Sequence, residues 1–553
     1  MPGKLTIRHI AQLAGVSTAT VSRVLNHKPD VDPLTRERVI RLIEEQGFVP
    51  DLFAAQLGSR PSSRNRPFLA SFPADFLWGA ATSAFQIEGA TNQDGRAASI
   101  WDHFASRKGT IFRGQTAEMS ADHYHRMQED VALMAELNLS AYRFSLSWPR
   151  ILPQGTGTVN VQGLDFYDRL VDALLARGIS PVATLYHWDL PLALHERGGW
   201  LSRETSHAFA DYAEVVARRL GDRVLWWITL NEPWCAAYLG YGLGTHAPGI
   251  ADMSSAVVAA HHLLLAHGLA LPRIRKHTQA QARLGMTLNL TPVSAADDQI
   301  ETLQGVKQTD VLYNRWFLDP LFRGQYPESL FADLGVAPPP VESTDMALIS
   351  TPLDFLGINY FFRSLLRVGR QANARHALAP AYEPVVPVPG ASYTEMAWEI
   401  YPQGLSDVLL RVHREYAPRL ILVTENGAAF ADQWDGSNPV RDERRVQYLR
   451  DHIDVLEHAR RQGVPLGGYF IWSLLDNYEW TDGYSKRFGI VYVDYTTQRR
   501  LVKESGRWYA AFIKAQRQGH SAPPSDNGEE EQGKESMEGP HFKRCRIADQ
   551  YRF

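Results

Sequence analysis

LWWITLNEP, residues 225–233, joins an uninterrupted strand-like run to a carboxylate, Glu232. Such a run is typical of a strand buried on both faces, as in a parallel sheet covered by helices. LILVTENG, residues 420–427, repeats the arrangement with Glu425. A carboxylate directly after a buried strand is costly unless it has a partner or a task. Taken singly, each glutamate is more often a loop cap or an ion-pair member, so their role depends on context.

Strand-like runs alternate with amphipathic helical stretches, such as TSHAFADYAEVVARRLG at 205–221, over most of the chain. This alternation, sustained over roughly 450 residues, predicts an α/β fold with a parallel sheet covered by helices, and one barrel with long loops suits that length better than repeated open sheets. Chemistry in such a barrel would lie at the carboxyl ends of the strands. Polar motifs fall at several predicted strand ends: RFS (143–145), HWD (187–189), NE (231–232), INY (358–360) and TEN (424–426).

Composition indicates a globular protein with an unevenly charged front end. Of the 553 residues, 44% are hydrophobic and 21% charged, and the net charge is -4. Residues 1–66 alone carry ten Lys or Arg against six Asp or Glu, so only this end is suited to approach nucleic acid. Two cysteines, no apolar leader and no stretch of ~18 apolar residues predict a cytoplasmic protein without a membrane span.

Residues 5–47 have the periodicity of three short helices, with Gly15 at a turn and Ser17 as the N-cap of the second helix. A helix, a glycine turn and a second helix with a polar start is typical of a helix-turn-helix that reads DNA. Periodicity alone leaves a plain three-helix surface domain equally open. A Ser, Arg and Pro-rich run, SRPSSRNRP at 59–67, then indicates a linker.

TIRHIAQLAGVSTATVSRVLN (6–26) and TRERVIRLIEEQGFVP (35–50) resemble the DNA-binding headpiece of the lactose repressor family. The resemblance implies weak DNA binding, with a hinge helix at DLFAAQL. The implied base contacts are Thr18, Ala19 and Arg23, the implied phosphate contacts are Ser17, Ser22 and Asn26, and the implied minor-groove wedge is Leu57. Asp51 and Ala55 depart from the family pattern and weaken attraction to phosphate. No room remains for the core that dimerises such repressors.

A second resemblance covers Phe72 to about Ile513. FPADFLWGAATSAFQIEGA, YRFSLSWPRILP, TLYHWDLP, TLNEPW, LVTENG and GYFIWSLLDNYEWTDGYSKRFGIVYVDY, in this order, resemble family 1 glycoside hydrolases, the β-glucosidase family with a (β/α)8 barrel. Together with the head, the resemblance divides the chain into a helix-turn-helix headpiece with hinge (1–58), a linker (59–70), the barrel (71–518) and a polar tail (519–553) expected to be disordered.

The resemblance implies a retaining glycosidase, in which two carboxylates lie ~5 Å apart. Glu232 corresponds to the acid/base and Glu425 to the nucleophile, and their environments should separate their pKa values. Arg143 is expected to lie beside Glu425 and keep it charged. The alternative for Arg143 is a purely structural ion pair within the barrel. No metal or organic cofactor is implied, because two carboxylates and water complete the cycle.

The same resemblance implies the sugar-binding residues. The expected hydroxyl binders are Gln86, His187, Asn231, Glu479 and Trp480, with Trp472 stacking on the sugar and Trp398 on the leaving group. Ordinary core packing is the alternative for the aromatic residues. Because Glu479 would repel a 6-phosphate, the expected substrate is an unphosphorylated β-glucoside or cello-oligosaccharide, with β-galactosides or β-fucosides tolerated.

One departure falls beside the nucleophile. The family usually reads NYY, and its second Tyr donates a hydrogen bond to the nucleophile, whereas this chain reads Asn359, Tyr360, Phe361. Phe361 therefore lacks a charge-assisted hydrogen bond worth ~1.5 to 3 kcal/mol. Phe85 for Tyr and Ala397 for Gly are smaller departures.

Three interpretations follow from these two resemblances. The favoured one is a working β-glucosidase whose head is a relic of a regulator. The second is a sugar-responsive transcription factor that uses the barrel as its sensor, and the missing dimerisation core disfavours it. The third is an inactive enzyme that only regulates, and the presence of both glutamates disfavours it.

Overall fold

The computed structural model describes residues 11, 13–25, 32, 35, 38–39, 42, 72–368, 382–385, 387–436 and 438–519. The chain divides into two compact units, Met1–Phe68 and Leu69–Phe553. Asn26, the hinge with Leu57, the linker 59–70 and the tail after Gly519 lie outside the described residues.

The larger unit is built around a closed barrel of parallel strands. The strands described in this unit are β1 (Leu77–Ala81), β2 (Ala141–Ser145), β3 (Ser180–Tyr186), β4 (Trp226–Asn231), β5 (Arg283–Asn289), β6 (Val293–Ala295), β7 (Phe355–Asn359), β8 (Ser364–Val368), β9 (Tyr382–Pro384), β10 (Ile421–Asn426), β11 (Leu466–Trp472), β12 (Val491–Asp494) and β13 (Arg499–Val502). Eight of them form the barrel, in the order β1-β11-β10-β7-β5-β4-β3-β2. Pairing of β1 with β11, from Leu77 with Gly468 to Ala81 with Trp472, closes the ring. The predicted (β/α)8 barrel is confirmed.

The barrel strands are buried because helices cover them outside and side chains fill them inside. All residues of β10 are buried, as are all residues of β4 except Trp226. The interior is filled by an apolar cluster that includes Val182, Ile228 and Phe470. Continuous apolar runs such as LWWITL therefore reflect burial on both faces. All eight carboxyl ends open on one rim, where the polar motifs lie.

The helices around the barrel follow the amphipathic pattern. In Arg203–Leu220 the buried residues Phe209, Ala213, Val216 and Leu220 recur at helical spacing. The α-helices of this unit are Ala84–Ile87, Ile100–Ser106, His123–Glu136, Trp148–Ile151, Val161–Leu175, Leu192–His195, Arg203–Leu220, Met253–Arg275, Ile300–Asp310, Trp316–Arg323, Leu330–Leu334, Asp345–Ile349, Pro402–Tyr416, Glu443–Arg461 and Glu504–Arg517. In the described part of this unit, two segments form π-helices, Cys235–Gly242 and Val311–Arg315.

Among the residues that the structure describes, one helix, Met253–Arg275, is long and apolar enough to cross a membrane by length and composition. The protein itself buries 78% of its most apolar window, and the helix packs against Arg203–Leu220. Because the helix is buried in this way, its apolar composition is that of a core helix. Outside the barrel, β6, β8 and β9 form a small sheet, and β12 and β13 form an antiparallel pair.

The smaller unit contains the predicted second helix, Thr18–Leu25. Gly15 has a φ of 62°, the left-handed conformation that a glycine turn allows. The Ser17 hydroxyl accepts a hydrogen bond from the Thr20 amide at 3.1 Å, so the predicted N-cap is present. A small core packs beneath the helix: Ala11, Ala14, Val21, Val24 and Val39.

Candidate active site

Two buried carboxylates stand at the rim of the barrel. Glu425 is the second-last residue of β10, and Glu232 directly follows the end of β4. Glu425 is 3% exposed and Glu232 is 6% exposed. Glu232 adopts a φ of 47°, a left-handed conformation that costs a residue other than glycine about 1–3 kcal/mol. Its amide donates to the Thr287 carbonyl of the neighbouring β5 at 2.9 Å, which holds this strained turn in place.

Arg143, fully buried on β2, connects β10 to β4. Its Nη1 donates to Oε1 of Glu425 at 2.5 Å, and its Nη2 donates to Oδ1 of Asn231 at 2.6 Å. The predicted pairing of Arg143 with Glu425 is therefore present. The same guanidinium fixes the amide of Asn231, because an oxygen that accepts from Arg143 must face it.

Asn359, at the end of β7, links the two carboxylates. Its Nδ2 donates to Oε1 of Glu232 at 2.7 Å, and its hydrogen bonding lowers the pKa of Glu425 as well. The Thr424 hydroxyl donates to Oδ1 of Asn359 at 2.8 Å and so sets the orientation of the amide. Register agrees, since Glu425 lies opposite Asn359 in the β10–β7 pair. Glu232 and Glu425 thus share one hydrogen-bonded site.

Burial dominates the electrostatics of this pair. It raises the pKa of Glu425 to about 8, with a further rise from Glu232, although the Arg143 guanidinium and hydrogen bonds lower it. Burial also raises the pKa of Glu232, against hydrogen bonds from Asn359 and Cys235. We expected Arg143 to separate the two values by keeping that of Glu425 low. Instead both rise, because desolvation of two close carboxylates outweighs one guanidinium.

Contact geometry nevertheless decides where the charge of the pair resides. Two neighbouring buried carboxylates titrate as a unit and share a proton. Arg143 touches Glu425, whereas the hydrogen-bond donors to Glu232, Asn359 and Cys235, are uncharged. The negative charge is therefore favoured on Glu425 and the proton on Glu232.

The residues expected to bind sugar hydroxyls gather at the same rim. Nε2 of Gln86, in the short helix after β1, donates to Oε2 of Glu479 at 3.3 Å. Nδ2 of Asn231 lies 3.0 Å from Nε2 of His187, and since Oδ1 accepts from Arg143, Nδ2 is the donor. Burial, then Arg143, holds the pKa of His187 well below its usual range, so its imidazole is neutral.

The aromatic candidates lie on and beside one buried cluster. The His187 ring stacks against Trp472 at 5.8 Å and against Trp480 at 5.9 Å between centroids. Trp398 lies 5.3 Å from each of Phe361 and Phe362 and packs against the buried cluster that contains Trp472. The site thus brings Trp472 and Trp480 together with His187, and Trp398 reaches the same cluster from the side of Phe361.

Phe361 stands where the resemblance implies a tyrosine. Its ring packs against Trp398 and, at 6.4 Å, against Phe488. Tyr360 points away from the carboxylates, since its hydroxyl donates to the Tyr401 carbonyl at 2.5 Å. Among the described residues, no tyrosine hydroxyl contacts Glu425.

Several site residues escaped the sequence analysis. Sγ of Cys235 donates to Oε2 of Glu232 at 3.3 Å, and Thr424 orients Asn359. Trp188 donates from its indole nitrogen to the Asn231 carbonyl at 3.0 Å. Each lies within three positions of a predicted residue, so proximity along the chain was the available signal.

The predicted DNA contacts are only partly described. Ser17 and Thr18 are exposed at the start of the helix Thr18–Leu25. Ala19, Ser22 and Arg23 belong to this helix, but their side chains lie outside the described part of the chain, as do Asn26 and Leu57. Their contacts with DNA stay predictions.

Comparison with known proteins matches both parts of the chain to families. The profile of glycosyl hydrolase family 1 matches residues 69–518, and that of the lacI family of bacterial regulatory proteins matches residues 6–51.

Curated relatives match the barrel over nearly their whole length. The chain is 44% identical to β-glucosidase A of Thermotoga maritima over 448 residues, which cover 80% of this chain and 98% of that protein. It is 46% identical to thermostable β-glucosidase B of Thermobispora bispora over 478 residues, covering 85% and 96%. A bifunctional β-D-glucosidase/β-D-fucosidase of Bifidobacterium breve is 44% identical over 461 residues, covering 80% and 98%.

Solved structures agree with this match. The family 1 β-glucosidase of Thermotoga maritima in complex with isofagomine lactam is 44% identical and superposes with a TM-score of 0.77, covering 81% of this chain and 99% of that one.

Proposed function

The chain belongs to glycosyl hydrolase family 1, and from that membership we propose that its barrel is a retaining β-glucosidase that removes terminal non-reducing glucose from β-glucosides. The observation that carries this proposal is the pair of buried glutamates joined through Asn359, with Arg143 on Glu425 alone. Beta-glucosidases at 43–46% identity support the activity.

In the first step, Glu425 attacks the anomeric carbon and Glu232 acts as the acid. Because Arg143 occupies Oε1 of Glu425, we assign the attack to Oε2. The new bond from Oε2 to carbon forms as the glycosidic bond breaks. Its electron pair passes to the glycosidic oxygen, which takes the proton of Glu232.

In the second step, water releases the sugar. Glu232, now ionised, removes a proton from water, and the water oxygen attacks the anomeric carbon. The bond to Glu425 breaks, its electron pair returns to the carboxylate, and Arg143 again balances that charge. Two inversions at one carbon retain the β configuration.

Sugar recognition falls to the polar groups around Glu479. Gln86 and Glu479 present an amide and a carboxylate side by side, a combination suited to the 4- and 6-hydroxyls of a hexose. A 6-phosphate would bring two further negative charges to a buried carboxylate. We therefore propose unphosphorylated β-glucosides or cello-oligosaccharides as substrates, and the relative that is also a β-D-fucosidase supports tolerance of β-fucosides.

Hydrolysis of 4-nitrophenyl β-glucoside tests this proposal. Glu425→Gln is expected to lower kcat on the order of a thousandfold or more, because the nucleophile is lost. Glu415→Gln is the matched control, since that glutamate is 40% exposed and pairs with Arg411 on an outer helix. Proton NMR should detect β-glucose before its anomer. Equal rates in wild type and Glu425→Gln would exclude Glu425 from the mechanism.

A second function is supported by the match of residues 6–51 to the lacI family of regulatory proteins and by the capped helix Thr18–Leu25. In this alternative the chain is a DNA-binding regulator that uses the barrel as its sugar sensor. Its headpiece alone would contribute few phosphate contacts, and such non-specific binding is weak, ~10⁻⁴ to 10⁻⁶ M at physiological salt. We therefore rank it below the hydrolase.

A further inference from the structure

The two oxygens of Glu232 have unlike partners. Oε1 accepts from Nδ2 of Asn359 at 2.7 Å, and Oε2 accepts from Sγ of Cys235 at 3.3 Å. Within the described chain, Cys235 is the hydrogen-bond partner of Oε2. The thiol belongs to the π-helix Cys235–Gly242, which starts three residues after Glu232 and is buried.

This difference fixes the position of an acidic proton. A proton on Oε1 would confront the N–H of Asn359, which cannot turn away because the Thr424 hydroxyl donates to its oxygen at 2.8 Å. The S–H of Cys235 can rotate, and sulfur is a weak acceptor and a weak donor. The acidic proton of Glu232 therefore resides on Oε2. Because the Cys235 sulfur is only a weak hydrogen-bond acceptor, the proton can leave this contact at little cost.

Resting on the hydrolase proposed above, we propose that Oε2 of Glu232 delivers the proton to the leaving group, and that Cys235 is a positioning residue for this acid. As the glycosidic bond breaks, the proton passes from Oε2 to the glycosidic oxygen. The S–H then turns to donate to the new negative charge on Oε2. A hydrogen bond to an ionised group is stronger than one to a neutral group, so this contact strengthens during the step.

Among the groups around Glu232, the uncharged thiol of Cys235 is suited to donate to the ionised acid. The charged and titratable groups that face the acid are Arg143 from β2, Glu425 from β10, Glu479 from the loop after β11, and Cys235 itself. Burial and the nearby Glu232 raise the pKa of the Cys235 thiol well above its usual range, so it keeps its proton throughout the working pH of the enzyme. It can therefore serve as a donor and not as a competing anion.

The test compares leaving groups and pH profiles of kcat/KM for Cys235→Ala and Cys235→Ser. Cellobiose needs the acid, whereas 2,4-dinitrophenolate leaves without it. We expect Cys235→Ala to lower kcat/KM about three- to tenfold for cellobiose and to leave 2,4-dinitrophenyl β-glucoside unchanged. Loss of a donor to the carboxylate raises the pKa of Glu232, so the basic limb moves to higher pH, by about half to one unit.

Cys235→Ser should move the basic limb the other way, to lower pH, because a hydroxyl is the stronger donor. Cys545→Ser, at the one other cysteine of the sequence, is the matched control and should change neither limb. Coincident basic limbs in wild type and Cys235→Ser, or equal losses of Cys235→Ala on both substrates, overturn the proposal. Failure of the wild-type protein to hydrolyse the dinitrophenyl glucoside would instead contradict the hydrolase itself.

Discussion

Glu425 illustrates how single residues set the working pH. Burial raises the pKa of Glu425 above the usual range of a carboxylate and the nearby Glu232 raises it further, whereas Arg143 and Asn359 favour the ionised form. Since the nucleophile must be charged to attack, activity is lost as pH falls through this pKa. The acidic limb of kcat/KM in this protein should therefore lie above the usual titration range of a glutamate, with the basic limb, set by Glu232, at higher pH still.

Phe361→Tyr should correct this shift. The family resemblance implies that a phenol hydroxyl at the position of Phe361 donates to the nucleophile, so the introduced tyrosine is expected to favour the charged form of Glu425 and to lower its pKa. A charge-assisted hydrogen bond of ~1.5 to 3 kcal/mol corresponds to a shift of the acidic limb by about one to two pH units downward. The pH profile of kcat/KM measures it. Phe362→Tyr, on the same Trp398 contact, is the control, and an acidic limb that moves equally in both variants would contradict the explanation.

Elements beyond the barrel hold the sugar-binding loop. Residues 473–490, between β11 and β12, carry Glu479 and Trp480. This loop contributes Asp476 and Arg487 to an ion cluster whose other members are Asp432, Asp442, Arg445 and Lys503. Three anions meet three cations, so the cluster is electrically balanced. It joins the segments after β10, after β11 and after β13 into one support.

Lys503→Met should break this support. The fully buried Nζ of Lys503 lies 2.6 Å from Asp432 and 2.7 Å from Asp476, and removing it leaves three carboxylates of the cluster against two cations. We expect the free energy of unfolding to fall by about 3–5 kcal/mol, measured by urea denaturation, and KM for glucosides to rise. Arg499→Met, on the exposed start of β13, is the control and should change little. Unaltered stability of Lys503→Met would mean that the cluster does not hold the loop.

At the scale of the molecule, hydrolysis should not need the head. The Thermotoga maritima relative aligns over 98% of its length with 80% of this chain, and the barrel forms a compact unit beginning at Leu69. Deleting residues 1–68 should therefore leave kcat/KM for 4-nitrophenyl β-glucoside unchanged within about twofold.

Gel shifts on a palindromic operator library complete that experiment. A salt-sensitive, sequence-preferring shift of the full chain that disappears on deletion would support the regulator alternative. No shift from the full chain would eliminate it. Loss of hydrolysis on deletion would show that the two units depend on each other.

The sequence predicted the barrel because apolar strands and amphipathic helices alternate and polar residues follow the strands. Family resemblance then singled out Glu232 and Glu425, and the fold brings them together. The raised pKa of Glu425 could not be predicted, since it sums burial over many distant residues. The contact of Cys235 depends on the π-helix after Pro233, a local geometry that spacing alone does not specify.

The pairing of β1 with β11 has a consequence for ligand binding. Gln86 follows the first barrel strand, β1, and Glu479 follows the last barrel strand, β11, and their side chains meet across this junction. A hexose bound by both side chains would link the first and last strands of the barrel at the point where the barrel closes. A bound sugar should therefore stabilise the whole barrel against unfolding, and not only the rim.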